Sequence, residues 1–71
     1  MAVLATELKK ARLAAGLTQE ELAAKASVSR EYVNYVERGK RHPTVVVFVR
    51  LCKALNVHAP DVLGRAMRLS K

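Results

Sequence analysis

Two sets of helix-capping signals, a few residues apart, constrain the fold of this chain more than any other feature. Thr18 suits a helix N-cap, and Glu21 three residues later completes a capping box. Ser29 is the next N-cap candidate, and Gly39 is the residue type that ends helices in the left-handed conformation. The sequence therefore predicts two short helices joined by a turn at residues 27–29.

The second of these helices has two chemically different sides. Val33 and Val36 lie one turn apart and are expected to pack inward. The opposite side carries mostly polar and charged residues: Arg30, Glu31, Asn34, Tyr35 and Arg38. A short helix with an apolar back and a donor-rich front fits the major groove of DNA. The pattern indicates a helix-turn-helix at residues 18–38, with the second helix reading DNA.

A first helix is expected before this pair. Four apolar residues recur at the spacing of one helical face: Leu4, Leu8, Ala11 and Ala15. Gly16 follows directly and suits the left-handed position that ends a helix. The pattern predicts a helix that begins at about residue 4 or 6 and ends at residue 15.

The segment after Thr44 carries conflicting signals. Residues 45–49 read Val-Val-Val-Phe-Val, and β-branched residues favour strands. On a helix, however, four residues of this region would share one side: Val45, Phe48, Cys52 and Leu55. Because a lone strand would have no partner in an otherwise helical chain, we expect a helix that begins after Thr44 and ends near residue 55.

The C-terminal part of the chain has more apolar residues than so small a core can bury. The stripe on the fourth helix leaves Val46 and Val47 facing outward. Pro60 and Asp61 suit the first turn of a last helix at residues 60–69. We expect this helix to contact a second copy of the chain in a homodimer. The expected interface residues are Val46, Val47, Val62, Leu63, Ala66 and Met67.

The net charge of the chain limits the classes of partner that it is expected to bind. Thirteen basic and six acidic residues give a formal net charge of +7, which favours nucleic acid first and an anionic membrane second. A generally solvated basic surface would give the same charge. The tight turn and capping box argue against a membrane-surface peptide, which needs neither. We therefore expect double-stranded DNA as the partner, and no membrane.

Several other classes of function find no support in the residues. Cys52 is the single cysteine, so no intrachain disulfide forms and a reducing compartment is expected. His42 and His58 are too isolated to predict a metal site. No nucleophile and base fall at a suggestive spacing. We expect one domain at residues 1–71, no enzymatic activity, no cofactor or small-molecule ligand, and a cytoplasmic, nucleoid-associated protein.

The motifs resemble those of the phage repressor and Cro-like helix-turn-helix regulators, the XRE family. The resemblance rests on the residues at 8–12, 16–23, 28–29, 33, 36–37 and 39. The run from Tyr32 to Arg41 is similar in particular to the short controller proteins of restriction–modification systems. The resemblance implies an all-α fold, a compact five-helix bundle of the lambda-repressor-like type.

The resemblance also implies roles for single residues. Those expected to read bases are Arg30, Glu31, Asn34 and Tyr35. Those expected to contact DNA phosphates are Gln19, Ser29, Arg38, Lys40, Arg41 and Thr44. Arg12 and Glu37 are expected to form an ion pair between the first and third helices. Arg30 could bind guanine and Glu31 cytosine, or the two adjacent charges could neutralise each other.

These expectations combine into one function. The chain is expected to be a sequence-specific transcriptional regulator, such as a repressor, that binds a two-half-site operator as a homodimer. The alternative is an antitoxin-type regulator that also binds a toxin partner through its C-terminal helix.

Overall fold

A computed structural model of the protein describes the backbone of residues 2–69 and the side chains of residues 4–68. Five helices follow one another: α1 (Ala2–Ala14), α2 (Gln19–Ala26), α3 (Arg30–Glu37), α4 (Val45–Leu55) and α5 (Ala59–Leu69). No strand occurs within residues 2–69. The all-α, five-helix fold is confirmed. None of the helices in that range is long and apolar enough to cross a bilayer.

Hydroxyl side chains cap the N-termini of α2, α3 and α4. The Thr18 hydroxyl accepts from the Glu21 amide at 3.0 Å, and the Glu21 carboxylate accepts from the Thr18 amide at 2.9 Å. Ser29 accepts from the Tyr32 amide at 3.0 Å, and Thr44 accepts from the Val47 amide at 3.2 Å. All three predicted N-caps are confirmed, including the complete capping box at Thr18.

Residues in the left-handed backbone conformation follow α1, α2, α3 and α4. Gly16 and Gly39 have φ of 72° and 73°, as their predicted role requires. Ser27 and Asn56 take the same conformation after α2 and α4, with φ of 60° and 59°. A left-handed serine is strained because its Cβ approaches the following carbonyl. The turn between α2 and α3 therefore contains a strained residue that its sequence does not reveal.

The core lies where α2 packs on α3 and α4, and where α1 packs on α3 and α5. Leu22, Ala23 and Ala26 of α2 are buried, as expected for its inner face. They meet Val33 and Val36 from the back of α3. This packing holds α3 by its apolar side and leaves the opposite side directed away from the core.

Helix α4 is present as predicted, but its buried stripe is different. The buried residues are Phe48, Leu51, Cys52 and Leu55, whereas Val45 is exposed. Val47 is partly buried and packs against the core, so the expectation that it faces outward was wrong. The reason is helical geometry, because Val47 lies one turn before Leu51 and shares its side. Val46 remains exposed, as expected.

Helix α5 contributes to the core of its own chain. Val62 has no exposed surface, and Ala66, one turn later, is also buried. The expectation that these two residues lie at a dimer interface was therefore wrong. They fill the side of α5 that packs against α1. Leu63 and Met67 lie next to them in the sequence but are exposed.

Candidate nucleic-acid interface

The front of α3 is exposed along its length. Arg30, Glu31 and Tyr35 are exposed, and Asn34 is partly buried beside them. Arg38 caps the C-terminal end of the helix and is exposed as well. The four residues expected to read bases thus share one surface, at the N-terminal and middle turns of the helix. The N-terminal part of a recognition helix is the part that reaches base edges.

A basic loop joins α3 to α4 at one end of this surface. Lys40, Arg41 and Thr44 are exposed, and the Lys40 amide donates to the Tyr35 carbonyl at 2.9 Å. This bond turns the chain back at the end of α3. Ser29, at the other end of the helix, is also exposed, and its hydroxyl and that of Thr44 accept amide protons. Each hydroxyl keeps its own proton, which can be donated to a phosphate oxygen.

The ion pair expected between α1 and α3 is present. Arg12 Nε lies 2.7 Å from Glu37 Oε2, and Arg12 Nη2 lies 3.2 Å from Glu37 Oε1. The two side chains are only 9% and 4% exposed. Arg12 Nη1 also donates to the Leu17 carbonyl at 2.8 Å, which ties the pair to the loop before α2. The guanidinium therefore links three segments that set the angle of α3.

The Gln19 side chain, which is expected to contact a phosphate, makes two contacts within the protein. Its Nε2 is 3.1 Å from Glu37 Oε1 and 3.5 Å from Asn34 Oδ1. A primary amide has two N–H groups, so these two contacts engage both. The side chain is thus directed at α3. Spacing in the sequence does not predict this contact, because residues 19 and 34 belong to different helices.

A second ion pair, which the sequence did not predict, holds α5 against α1. Arg65 Nε lies 3.0 Å from Oε1 of the buried Glu7, and Lys10 Nζ lies 3.7 Å from Glu7 Oε2. The hydrogen bond from Arg65 lowers the pKa of Glu7, with a smaller contribution from Lys10, although desolvation opposes the shift. Glutamates and arginines that lie on different helices give no local signal of such a pair.

The described residues offer little for metal or thiol chemistry. No group of three or more histidine, cysteine or acidic side chains among them could hold a metal ion. Cys52 is buried, and desolvation raises the pKa of its thiol. A buried thiol with a raised pKa is a poor nucleophile at neutral pH, so Cys52 acts as a small apolar core residue.

Exposed apolar side chains gather on α4 and α5. Seven large hydrophobic residues are exposed in the described part of the chain, and five belong to these two helices. The five are Val45, Val46, Val49, Leu63 and Met67. We call these five residues the apolar face. Of the residues that the sequence predicted for a dimer interface, Val46 and Met67 are the most exposed, at 66% and 64%. Val45 and Val49 were not expected there.

Comparisons with known proteins agree with this geometry. A family model described as helix-turn-helix matches residues 8–62. The control protein C.SmaI of Serratia marcescens is 36% identical over 63 residues, which cover 89% of this chain and 75% of that protein. The crystal structure of the restriction-modification controller protein C.AhdI from Aeromonas hydrophila superimposes with a TM-score of 0.83. It is 34% identical, and the match covers 86% of this chain and 92% of that one.

One curated relative has higher identity over a shorter segment. An uncharacterized HTH-type transcriptional regulator of Sinorhizobium fredii is 48% identical over 42 residues, or 59% of this chain. The match spans 54% of that relative, about half its length. The resemblance inferred from residues 8–39 is confirmed by these comparisons. The chain belongs to the XRE-type helix-turn-helix family of DNA-binding transcriptional regulators.

Proposed function

We propose that the protein regulates transcription as a homodimer that binds a sequence-specific operator with two half-sites. The observation that carries the proposal is the exposed front of α3, which is held from behind by Val33 and Val36. A helix fixed in this way can enter the major groove without disturbing the core. Arg30, Glu31, Asn34 and Tyr35 are then the residues in reach of base edges.

Phosphate contacts would fix the register of this helix on the duplex. Arg38, Lys40 and Arg41 are exposed at the C-terminal end of α3, and Ser29 is exposed at its N-terminal end. Basic side chains and hydroxyls on both sides of a recognition helix suit the two phosphate strands that border a major groove. Thr44 adds a hydroxyl at the start of α4. Such contacts supply affinity, and the base-reading residues supply specificity.

The apolar face supports a second copy of the chain as partner. Five exposed apolar side chains on two helices that contact each other indicate an interaction site. Two copies related by a twofold axis bury the same face in each other, and they present two α3 helices to successive major grooves about 34–36 Å apart.

Selection of bound duplexes from a random pool tests the proposal. We expect a palindromic motif with half-sites one helical turn apart, together with a dimer in analytical ultracentrifugation. A single half-site bound by a monomer would overturn the homodimer. A dimer that selects no motif would overturn sequence-specific binding. A toxin-like protein that displaces the second copy from the apolar face would favour the antitoxin-type alternative.

The dependence of binding on salt tests the phosphate contacts separately. If about 4–6 phosphates are neutralised per dimer, log K falls with log salt at a slope of roughly −4 to −5. Lys40→Ala or Arg41→Ala should flatten the slope by about 1 per lost contact per subunit. Lys53→Ala is the matched control, because it removes the same charge from the distant half of α4. Equal slopes for all three variants would contradict the proposed contacts.

A further inference from the structure

A groove between α2 and α4 brings three basic side chains together. It is lined by three basic and three small residues: Lys25, Arg50, Lys53, Ala26, Ser27 and Ala54. The two alanines are buried or partly buried and the three cations are exposed, so the cations surround an apolar floor. The volume of the groove, about 410 Å³, is within the range of ligand-binding clefts. We call these six residues the basic groove.

The charge of the basic groove is not balanced within the described part of the chain. The three ion pairs found there use the carboxylates of Glu7 and Glu37, and none includes a cation of the groove. Glu21 lies one turn before Lys25, but its carboxylate accepts from the Thr18 amide in the capping box. Three positive charges that share one groove repel each other and attract an anionic partner.

The helix dipoles of α2 and α4 explain only part of this arrangement. Lys25 and Lys53 lie in the last turns of these helices, where a cation interacts favourably with the C-terminal carbonyls. Arg50 lies in the middle of α4, yet its Nη2 donates to the Ser27 carbonyl at 3.3 Å. This bond brings a third cation to the end of α2. Because a guanidinium has five N–H groups, Arg50 keeps donors for a second acceptor.

The basic groove lies apart from the surface proposed for DNA. Helix α2 packs on both α3 and α4, and the apolar back of α3 faces this packing. A groove between α2 and α4 is therefore behind the reading helix. Lys53 lies in the last turn of α4, ~13 Å along the helix axis from Thr44 and the basic loop. A duplex bound to the front of α3 would leave the groove open.

The basic groove also lies apart from the apolar face. Arg50 and Ala54 are one turn apart on the side of α4 that faces α2. Val45 and Val49 are one turn apart on a different side of the same helix, and both are exposed. A second copy of the chain on the apolar face would therefore leave the groove free for another partner.

We propose that the basic groove binds an acidic segment of another protein while α3 is bound to DNA. Carboxylates accept from ammonium and guanidinium groups in short, charge-assisted hydrogen bonds. An extended acidic segment can place successive carboxylates along a groove between two helices, whereas a rigid duplex cannot enter it. Binding of the segment requires only the groove. Binding of the segment and of DNA at the same time rests on the proposed function.

An oligoglutamate peptide titrated into the full chain tests the groove directly. Two-dimensional NMR spectra of the nitrogen-labelled protein resolve its backbone amides, and oligoglutamine of the same length is the uncharged control. We expect oligoglutamate, but not oligoglutamine, to shift the amides of Lys25, Ser27 and Lys53. Because the front of α3 and the basic loop also attract anions, the titration is repeated on the complex with the selected operator. The shifts at the groove should persist there.

Neutral variants test whether the charges of the groove are responsible for binding. Lys25→Gln and Lys53→Gln should each weaken the binding of oligoglutamate to the operator complex about two- to fivefold, the range for exposed charge pairs. Neither should weaken operator binding as Lys40→Ala does. Lys9→Gln is the matched control, because it removes the same charge from an exposed position of α1. Melting temperatures show that each variant is folded in the assay.

The outcomes separate the groove from the DNA surface. Shifts confined to Lys40 and Arg41, or equal binding of oligoglutamine, would overturn the proposal. The same holds if Lys9→Gln weakens peptide binding as much as Lys25→Gln, since general attraction would then explain the binding. If the operator removes the shifts at the groove, the groove contacts DNA instead. A chain that selects no operator overturns the proposed function, and the titration of the free chain still decides whether the groove binds the peptide.

Discussion

The carboxylate of Glu7 is buried under the guanidinium of Arg65, with Oε1 3.0 Å from Nε. This pair joins the first helix to the last, across 58 residues of chain. Val62 and Ala66 pack on the same side of α5, so the apolar contact and the ion pair support each other. Because a buried carboxylate is costly without a partner, the attachment of α5 depends on Glu7 remaining charged.

Acid should therefore weaken the fold through Glu7. The pKa of Glu7 is lowered mainly by the hydrogen bond from Arg65. The folded state therefore favours the charged form of Glu7. This stability is complete above the ordinary glutamate pKa of about 4.3 and is lost as the pH falls through the lowered value. Melting temperatures measured from pH 7 to pH 2 should fall less steeply for Glu7→Gln than for wild type. Glu20→Gln, which removes an exposed carboxylate, is the matched control.

The same acid titration involves the capping box of α2. The backbone amide of Thr18 lowers the pKa of Glu21, with its hydroxyl contributing further. The pKa of Glu21 is lowered, as that of Glu7 is. Protonation of Glu21 below the ordinary glutamate pKa therefore also removes stability. The double variant Glu7→Gln, Glu21→Gln should lose least on acidification. A double variant no flatter than Glu7→Gln alone would show that the capping box does not contribute.

Removing one member of the Arg12–Glu37 pair should cost more stability than replacing both residues with apolar ones. Either Arg12→Ala or Glu37→Ala leaves a buried charge without its partner, at a cost of roughly 3–5 kcal/mol. The double variant Arg12→Met, Glu37→Leu removes both charges and should cost less than either single change. Urea denaturation of the three variants measures the difference. Costs that simply add would contradict the coupling that a 2.7 Å contact implies.

Glycine at position 27 should stabilise the protein. Ser27 has φ of 60° and ψ of 44°, a conformation that glycine adopts without the strain of a Cβ. Ser27→Gly should add up to about 1 kcal/mol to the free energy of unfolding, and Ser27→Val should reduce it. Ala24→Gly, which lies within α2, should instead cost about 1 kcal/mol. Thermal denaturation that gives both glycine variants the same sign would contradict this account.

Substitutions at two neighbouring positions of α5 should affect folding and association separately. Leu63→Lys places a charge on the apolar face and should shift the protein from dimer to monomer with little change in monomer stability. Val62→Ala leaves a cavity in the core and should cost roughly 2 kcal/mol without a direct effect on the interface. Sedimentation equilibrium measures the first effect and denaturation the second. If Leu63→Lys remains a dimer, the apolar face is not the interface.

Local features of this fold were predictable from the sequence because they depend on residues a few positions apart. The capping bonds of Thr18, Ser29 and Thr44 each join a residue to another three positions later. Helix geometry alone determines such contacts. The same holds for the inward positions of Val33 and Val36. The sequence therefore predicted the five helices and the exposed front of α3.

Contacts between helices were less predictable because they depend on which neighbour covers each side. Val45 and Val47 both lie in the first turn of α4, and periodicity alone did not show which one meets the core. Gln19 and Asn34 approach each other only because α2 crosses α3 at a particular angle. The Arg12–Glu37 pair was expected from the family resemblance, which carries this long-range information. No sequence pattern links Glu7 to Arg65, so their ion pair was not predicted.

The contact between Gln19 and Asn34 has a consequence for how this protein could acquire a new operator. Arg30, Glu31 and Tyr35 are exposed, so each could change without opening the core. Residue 34 is constrained, because its side chain must also satisfy an amide that a buried ion pair holds in place. Redesign of the target should therefore vary positions 19 and 34 as a pair and the remaining positions independently.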